Sequence, residues 1–182
     1  SAAQKARFYD DLATGKTIAA FCLTEPGAGS DASSIRTSAV DEGDHYLLNG
    51  QKLWITNGGI ADFFTVFAKT GNAEQRGKLS AFIVTRDMGG VSVSAHDDKM
   101  GIRASSTTSV FFENVKVPKE NLLGPLNGGF KVAMNILNSG RSGLGGGCVG
   151  GMKRMLQMAT AHAQERRQFG APISSYGLIK QK

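Results

Sequence analysis

In FCLTEPGAGSD, Phe21–Asp31, a run of strand-forming residues stops at Pro26, passes Gly27, Ala28 and Gly29, and delivers Ser30 and Asp31. Proline has no N–H to give a sheet ladder, so the strand ends there. Two glycines let main-chain N–H groups converge, and a serine hydroxyl stands beside them, which is equipment for holding a phosphate without a cation. The same letters also spell a plain surface turn, because Pro-Gly and Gly-Ser are common turn pairs.

Outward from this strand end, the texture on the C-terminal side is β-rich. TIAAFCLTE, HYLLNGQKLWIT, FFTVFAKT, LSAFIVTR, VSVSA and SVFFENVKVP are short segments divided by Gly, Asn and Asp. They predict a mostly antiparallel sheet or barrel over Thr17–Pro118, with a hairpin turn at Asn49-Gly50. On the N-terminal side, Ala3–Ala13 reads as a short helix with Phe8 and Leu12 at helical spacing and Gly15 placed to cap it. From Gly128 onward, Phe130, Ala133, Met134 and Leu137 fall at i, i+3, i+4 and i+7, and Met152, Met155, Leu156, Ala159 and Ala163 continue the helical pattern.

The glycine-rich patch GRSGLGGGCVGG lies inside that helical pattern. Gly145, Gly147 and Gly150 match G-x-G-x-x-G, and Glu165 falls near the distance of a ribose-binding acid. A dinucleotide fingerprint must join a strand to a helix, whereas helical periodicity here runs on both sides of the glycines, so the nicotinamide reading is set aside. Each glycine costs a helix about 1 kcal/mol relative to alanine. Such a row is either a closely packed helix contact or the wall of a cavity.

A chain of 182 residues, 41% hydrophobic, can bury a sizeable core, and a soluble globular protein of one or two domains is expected. The net charge of +6 has no footprint, since Lys and Arg are scattered among Asp and Glu, and no nucleic-acid partner is expected. Cys22 and Cys148 lie far apart and read as buried free thiols in a reducing compartment. His45, His96 and His162 sit singly, so no metal site is expected. No apolar run approaches a membrane span. The missing initiating Met and the ending YGLIKQK read as an excerpt of a longer protein.

Chemistry is concentrated in LNGQKLWITNGG, Leu48–Gly59, where the only tryptophan, Trp54, precedes Thr56 by two strand positions, so both lean to one face. A broad ring beside a hydroxyl suits a flat polar heterocycle, and equally describes a core Trp with a solvent-edge Thr. FCLTEPGAGSD, LNGQKLWITNGG, KMGIRAS and ERRQFG occur in this order, and over essentially the whole chain the sequence resembles the acyl-CoA dehydrogenases. Through GGFKVAMNILNSGR it is most similar to their very-long-chain branch and to a relative involved in respiratory complex I assembly.

The resemblance implies an α+β acyl-CoA dehydrogenase fold. Residues 1–15 would end an N-terminal helical domain, 16–126 would form the middle antiparallel β-barrel domain, and 127–182 would start the C-terminal helical bundle. It implies FAD as cofactor, with Leu23 and Thr24 donating to the pyrimidine edge of the flavin, Trp54 packed on the isoalloxazine, and Thr56 near N5. Ser30 would lie by the pyrophosphate or the CoA moiety. Phe21, Gly29, Ile55 and Phe169 would belong to the same cofactor site, and Arg166, three residues before Phe169, would reach the FAD of a neighbouring subunit. A solvated helix end explains the Arg pair equally well from the residues alone. Asn138 and Arg141 would lie near the CoA ester.

Some relatives carry the catalytic glutamate where this chain has Gly140, and nothing in the segment replaces it. The resemblance therefore places the base beyond Lys182, and Glu25 and Glu165 are read as structural. The glycine row would leave room for a long acyl chain, with helix packing an equal contender. The whole protein would oxidise long-chain acyl-CoA to trans-2-enoyl-CoA in mitochondrial β-oxidation, on the matrix side, as a homodimer or homotetramer passing electrons to electron-transfer flavoprotein. The alternative is a flavoprotein-like complex I assembly factor with secondary dehydrogenase activity.

Overall fold

The computed structural model describes residues 1–71 and 78–181. They form two compact units, Ser1–Asn135 and Ile136–Lys182.

The first unit opens with helix α1 (Ala2–Ala13), whose chain reverses at Gly15 with φ +75°. Phe8 meets Phe63 edge to face with ring centroids 5.3 Å apart, and Gln4 Nε2 donates to the carbonyls of Glu120 and Leu122 at 2.8 Å each. The sheet follows: β1 (Ala19–Cys22), β2 (Ser38–Asp41), β3 (His45–Thr56), β4 (Phe63–Thr70), β5 (Lys78–Thr85), β6 (Val91–Val93), β7 (Thr107–Pro118) and β8 (Leu122–Leu123). Its hydrogen-bonded order is β6-β7-β3-β2-β4-β5-β8, with β1 beside β4.

Two expectations are corrected here. The sheet is open and mixed rather than a closed antiparallel barrel: β1 and β2 both run parallel to β4 and share one edge of it, β1 along Phe63–Val66 and β2 along Lys69–Thr70. Alternation of apolar residues fixes which side chains go inward and carries no information on strand direction. Asn49-Gly50 is not a hairpin turn, because β3 runs through it. Gly50 sits at a register shift against β7, with φ +149° and Thr37 packed so closely that a Cβ would fall 2.7 Å from its Cα. Asn49 Oδ1 instead accepts the Asn114 N–H at 2.8 Å.

The core lies mainly between β1, β3, β4, β5 and β7, with Cys22, Leu48, Phe64, Val66, Phe82, Val84, Val110 and Val115 fully buried. Burying a side chain of this size contributes about 1.5–3 kcal/mol. Strands β4 and β5 are buried almost throughout, as expected of central strands covered on both faces.

Helix α2 (Gly129–Glu165) starts in the first unit, where Gly129 packs on the backbone of β5: a Cβ there would fall 2.6 Å from the Ser80 carbonyl carbon. Its entry is held by Thr70 Oγ1 donating to Asn127 Oδ1 at 2.8 Å and by the Asn127 N–H donating to Ser80 Oγ at 2.8 Å.

The second unit carries the rest of α2, then β9 (Arg167–Gln168) and β10 (Ala171–Pro172), a 3-10 turn (Ile173–Ser175) and α3 (Gly177–Lys180). Among the described residues, no helix is long and apolar enough to cross a membrane.

Candidate functional site

Strand β1 ends at Cys22, ahead of Pro26, where the sequence predicts its end. Glu25 and Ala28 exchange backbone hydrogen bonds of 3.1 and 3.0 Å around Pro26-Gly27, making a tight turn. Beyond it, Gly29 and Ser30 are exposed, with open space where a Cβ of Gly27 or Gly29 would point. Asp31 accepts from Ser33 Oγ at 2.6 Å and from Ser34 Oγ, and these hydroxyls hold its carboxyl below the usual range.

Beneath the turn is a buried ion pair that sequence reasoning missed. Lys52, fully buried on β3, donates from Nζ to Glu25 Oε1 at 2.7 Å and to the Leu23 carbonyl at 3.1 Å. Glu25 also accepts the Arg36 N–H at 2.5 Å, the Thr37 N–H at 3.0 Å and the Thr37 hydroxyl at 2.5 Å. Burial pushes the Glu25 carboxyl up, but the bonds from Lys52, Thr37 and Arg36 outweigh it and hold the carboxyl below its ordinary value. Burial drives Lys52 down, and Glu25 offsets part of that. The signal was legible: Tyr46, Leu48 and Lys52 share the inward register of β3, so a lysine stands at a core position. Four donors occupy the Glu25 oxygens.

Trp54 lies at a second register shift of β3, between Lys52 and Ile55, and has φ +56°, rare for a bulky residue. The bulge leaves its indole 66% exposed on a strand whose next residue, Ile55, is 2% exposed. Thr56, also exposed, pairs with Thr107, so Trp54 and Thr56 share the solvent-facing side; the bulge turns Trp54 outward, since plain alternation from the buried Lys52 would have put it inward. Ile55 is in the core and can offer a ligand only its main chain.

The turn after Trp54 is tied on three sides. Asn57, at φ +64°, donates its N–H to the Ser106 carbonyl at 2.8 Å and its amide to the Ala19 carbonyl at 3.2 Å. Arg86 reaches the carbonyls of Gly58 and Ala61 at 2.6 Å each.

The two motifs meet. The Leu53 N–H donates to the Thr24 carbonyl at 2.9 Å, so Thr24 lies next to the strand segment that carries Trp54. Among the described residues the Thr24 N–H has no acceptor. Phe21 packs on Phe67, ring centroids 5.0 Å apart. Leu23, Thr24, Trp54, Ile55 and Thr56 thus gather at one end of β1 and β3, with the Gly29-Ser30 turn leading away from it. A flat ring with polar edges fits this set: one exposed indole, one hydroxyl and an unpaired main-chain N–H. Clusters able to hold a metal ion are absent among the described residues.

In the second unit, Asn138 and Arg141 lie one helical turn apart, with Arg141 Nη1 donating to Asn138 Oδ1 at 3.0 Å. Arg166 closes α2 through its N–H to the His162 carbonyl at 2.8 Å. Phe169 and Gly170, at φ +50° and +82°, form the two-residue turn of the β9–β10 hairpin, and the Phe169 ring is 96% exposed. Cys148 is exposed on α2, contrary to the expectation of two buried thiols, because this glycine-rich stretch buries nothing within its own unit.

The family model for "Acyl-CoA dehydrogenase, middle domain" matches residues 20–115, and that for "Acyl-CoA dehydrogenase, C-terminal domain" matches 127–182. The chain belongs to the acyl-CoA dehydrogenase family. Within this family it is 52% identical to the very long-chain specific acyl-CoA dehydrogenase, mitochondrial, of Bos taurus, over 99% of this chain and 28% of that protein. It is 46% identical to a probable acyl-CoA dehydrogenase of Bacillus subtilis, over 98% of this chain and 30% of that protein. The crystal structure of an acyl-CoA dehydrogenase complexed with FAD, from Bacillus anthracis, superposes with a TM-score of 0.88 at 47% identity, covering 100% of this chain and 31% of its own. The chain therefore spans less than a third of the length of these acyl-CoA dehydrogenases.

Proposed function

We propose that the protein to which these residues belong is an FAD-dependent acyl-CoA dehydrogenase that oxidises long-chain acyl-CoA to trans-2-enoyl-CoA and passes electrons to electron-transfer flavoprotein. The observation that carries the reading is the exposed, bulge-held Trp54 beside the unpaired Thr24 N–H, in a chain 52% identical to a very-long-chain member.

FAD, when bound, supplies the hydride acceptor. The chain's own part is to bind and orient it. Thr24 and Leu23 offer main-chain N–H groups to the polar edge of the ring, which favours the negative charge of the reduced form. Trp54 would cover a ring face and keep water from it, and Thr56 would offer a hydroxyl to the hydride-accepting part of the ring. Ser30 and the open backbone at Gly29 meet a phosphorylated portion of cofactor or substrate, and Arg141 with Asn138 serves the CoA ester. Arg166 would reach the cofactor of a neighbouring subunit, in a homodimer or homotetramer, and Phe169 belongs to the cofactor-binding set.

The α-proton beside a thioester is a weak acid and needs a carboxylate to remove it. Glu25 is saturated with donors, which supports a structural role for it. With Gly140 at the position where the resemblance puts the base of some relatives, we take the base to lie beyond Lys182. The mitochondrial assignment follows the mammalian relatives.

The test is a visible spectrum of the full-length protein, followed by anaerobic addition of palmitoyl-CoA. A flavin band that bleaches with palmitoyl-CoA is expected. A full-length protein that stays colourless with added FAD overturns the reading.

A further inference from the structure

We infer that Lys52 is a positioning residue for the cofactor site: its ammonium, donating to the Leu23 carbonyl, holds and polarises the peptide group whose other end is the Thr24 N–H. The inference rests on the flavin reading above and adds a residue that never touches the ring.

The carbonyl of Leu23 and the N–H of Thr24 belong to one peptide unit. None of the described peptide bonds is cis, so the two groups point in opposite directions. Lys52 Nζ approaches the carbonyl from the buried side at 3.1 Å. The N–H on the other side has no acceptor among the described residues. The following peptide is fixed as well, because the Thr24 carbonyl takes the Leu53 N–H at 2.9 Å. Thr24 is thus pinned from both neighbours, with its own N–H left for a ligand.

A hydrogen bond from a cation is roughly twice as strong as a neutral one, and it pulls electron density toward the carbonyl oxygen. In a low-dielectric interior that polarisation passes along the peptide and makes its N–H a better donor. A better donor at the polar edge of the ring stabilises reduced, anionic flavin more than oxidised flavin. Lys52 therefore acts on the reduction potential from one peptide away.

A purely structural role would use the same contact, since a buried ammonium has three N–H donors to satisfy and the Leu23 carbonyl takes one of them; the flavin potential separates the two roles. Glu25 already takes three bonds from Arg36 and Thr37. The other titratable neighbour, Cys22, does not compete for the ammonium as an anion, because burial pushes its thiol up to about 12.

The experiment measures the reduction potential of FAD in the full-length holoprotein by equilibration with a redox dye. The main variant is Glu25→Gln/Lys52→Met, which removes both charges together and so leaves no buried ion unpaired. The control is Thr37→Val, which loosens the Glu25 cluster and leaves Lys52 in place. The double variant should favour reduced flavin about tenfold less than wild type, a fall of about 30 mV for a two-electron couple. Thr37→Val should melt earlier and keep the wild-type potential.

Loss of flavin from a double variant that keeps the wild-type melting temperature also supports the assignment, since it ties Lys52 to the geometry of the site. An unchanged potential in the double variant overturns it, as does an equal fall in Thr37→Val, which would make the effect general loosening. If wild-type protein takes up no FAD, the flavin reading itself has failed.

Discussion

The Leu53 N–H donates to the Thr24 carbonyl at 2.9 Å, and through this one bond the end of β1 is locked to the strand segment that carries Trp54. The two motifs are separated by the whole of β2, yet each supplies half of one site. The bulge at Trp54 is affordable only because its neighbours are fixed: Lys52 and Ile55 are both buried, and Asn57 is bonded to Ser106 and Ala19.

Trp54→Ala separates binding from folding. The ring is 66% exposed, so its loss should change stability by no more than about 0.5 kcal/mol, within the range of ordinary surface substitutions. A stacked aromatic contributes about 0.5–1.5 kcal/mol beyond its area, so FAD should bind about tenfold more weakly to the full-length variant. Thermal melting of the apoprotein and a fluorescence titration with FAD measure the two effects. A large drop in melting temperature would place the indole in the core instead.

Glu25→Gln should be severe. It leaves the Lys52 ammonium, fully buried, without its counter-ion, which costs about 3–5 kcal/mol. The sign of the pH dependence follows. The folded-state pKa of wild-type Glu25 is below 4.5, so its contribution is complete above that value and is lost as pH falls through the folded value. Lys52 is likewise depressed below 10.5. Without Glu25 the depression deepens, the unfolded chain then holds the extra proton, and the variant should gain stability on moving from neutral to alkaline pH. Urea titrations across that range decide the matter, and a variant that weakens with rising pH contradicts the pairing.

Much of the β unit was legible because its signals are local. The β-rich segments between turn residues marked β3 and β7, and Gly15 marked the end of α1. Strand direction was not legible, since β1 and β2 pair with β4 across long stretches of chain and no residue states which way a partner runs. Asn49-Gly50 misled because a glycine at φ +149° serves a bulge as well as a turn, and only the approach of Thr37 shows which. At the site, the type and spacing of Trp54 and Thr56 drew notice but left a core Trp equally open, and only the resemblance implied a cofactor there. Lys52 was missed although it shares the inward register of Tyr46 and Leu48, because a lysine in a strand is ordinarily solvated and its role depends on Glu25, 27 positions away in the chain.

Two glycines of α2 should respond oppositely to alanine. At Gly129 a Cβ would fall 2.6–2.9 Å from backbone atoms of Ser80 and Ala81, which cannot yield like a flexible side chain. Gly129→Ala should therefore cost about 1–3 kcal/mol, the range for overpacking. Gly147 has no atom of its unit within 4 Å of the added carbon, so Gly147→Ala should strengthen the helix of this chain by about 1 kcal/mol. Denaturant titration followed by far-ultraviolet circular dichroism reads both. If Gly147→Ala stabilises this chain but destabilises the full-length protein, the glycine row is a packed contact there.

The two thiols should report the contrast between the sheet and α2. Cys22 is fully buried on β1, and burial pushes its thiol up to about 12, so it is neither reachable nor ionised at neutral pH. Only the thiolate reacts with disulfide reagents, which suppresses Cys22 twice over, by access and by charge. Cys148 is exposed and free. In the native chain a colorimetric disulfide reagent should therefore titrate one thiol quickly, and the second only at the rate at which the sheet opens. Adding guanidinium should bring Cys22 in together with the loss of sheet signal, since β1 lies against β4 in the core and cannot be exposed without parting from it. Equal, rapid reaction of both thiols in native buffer would mean that β1 is not held in the sheet, and the Thr24 end of the site would lose its support.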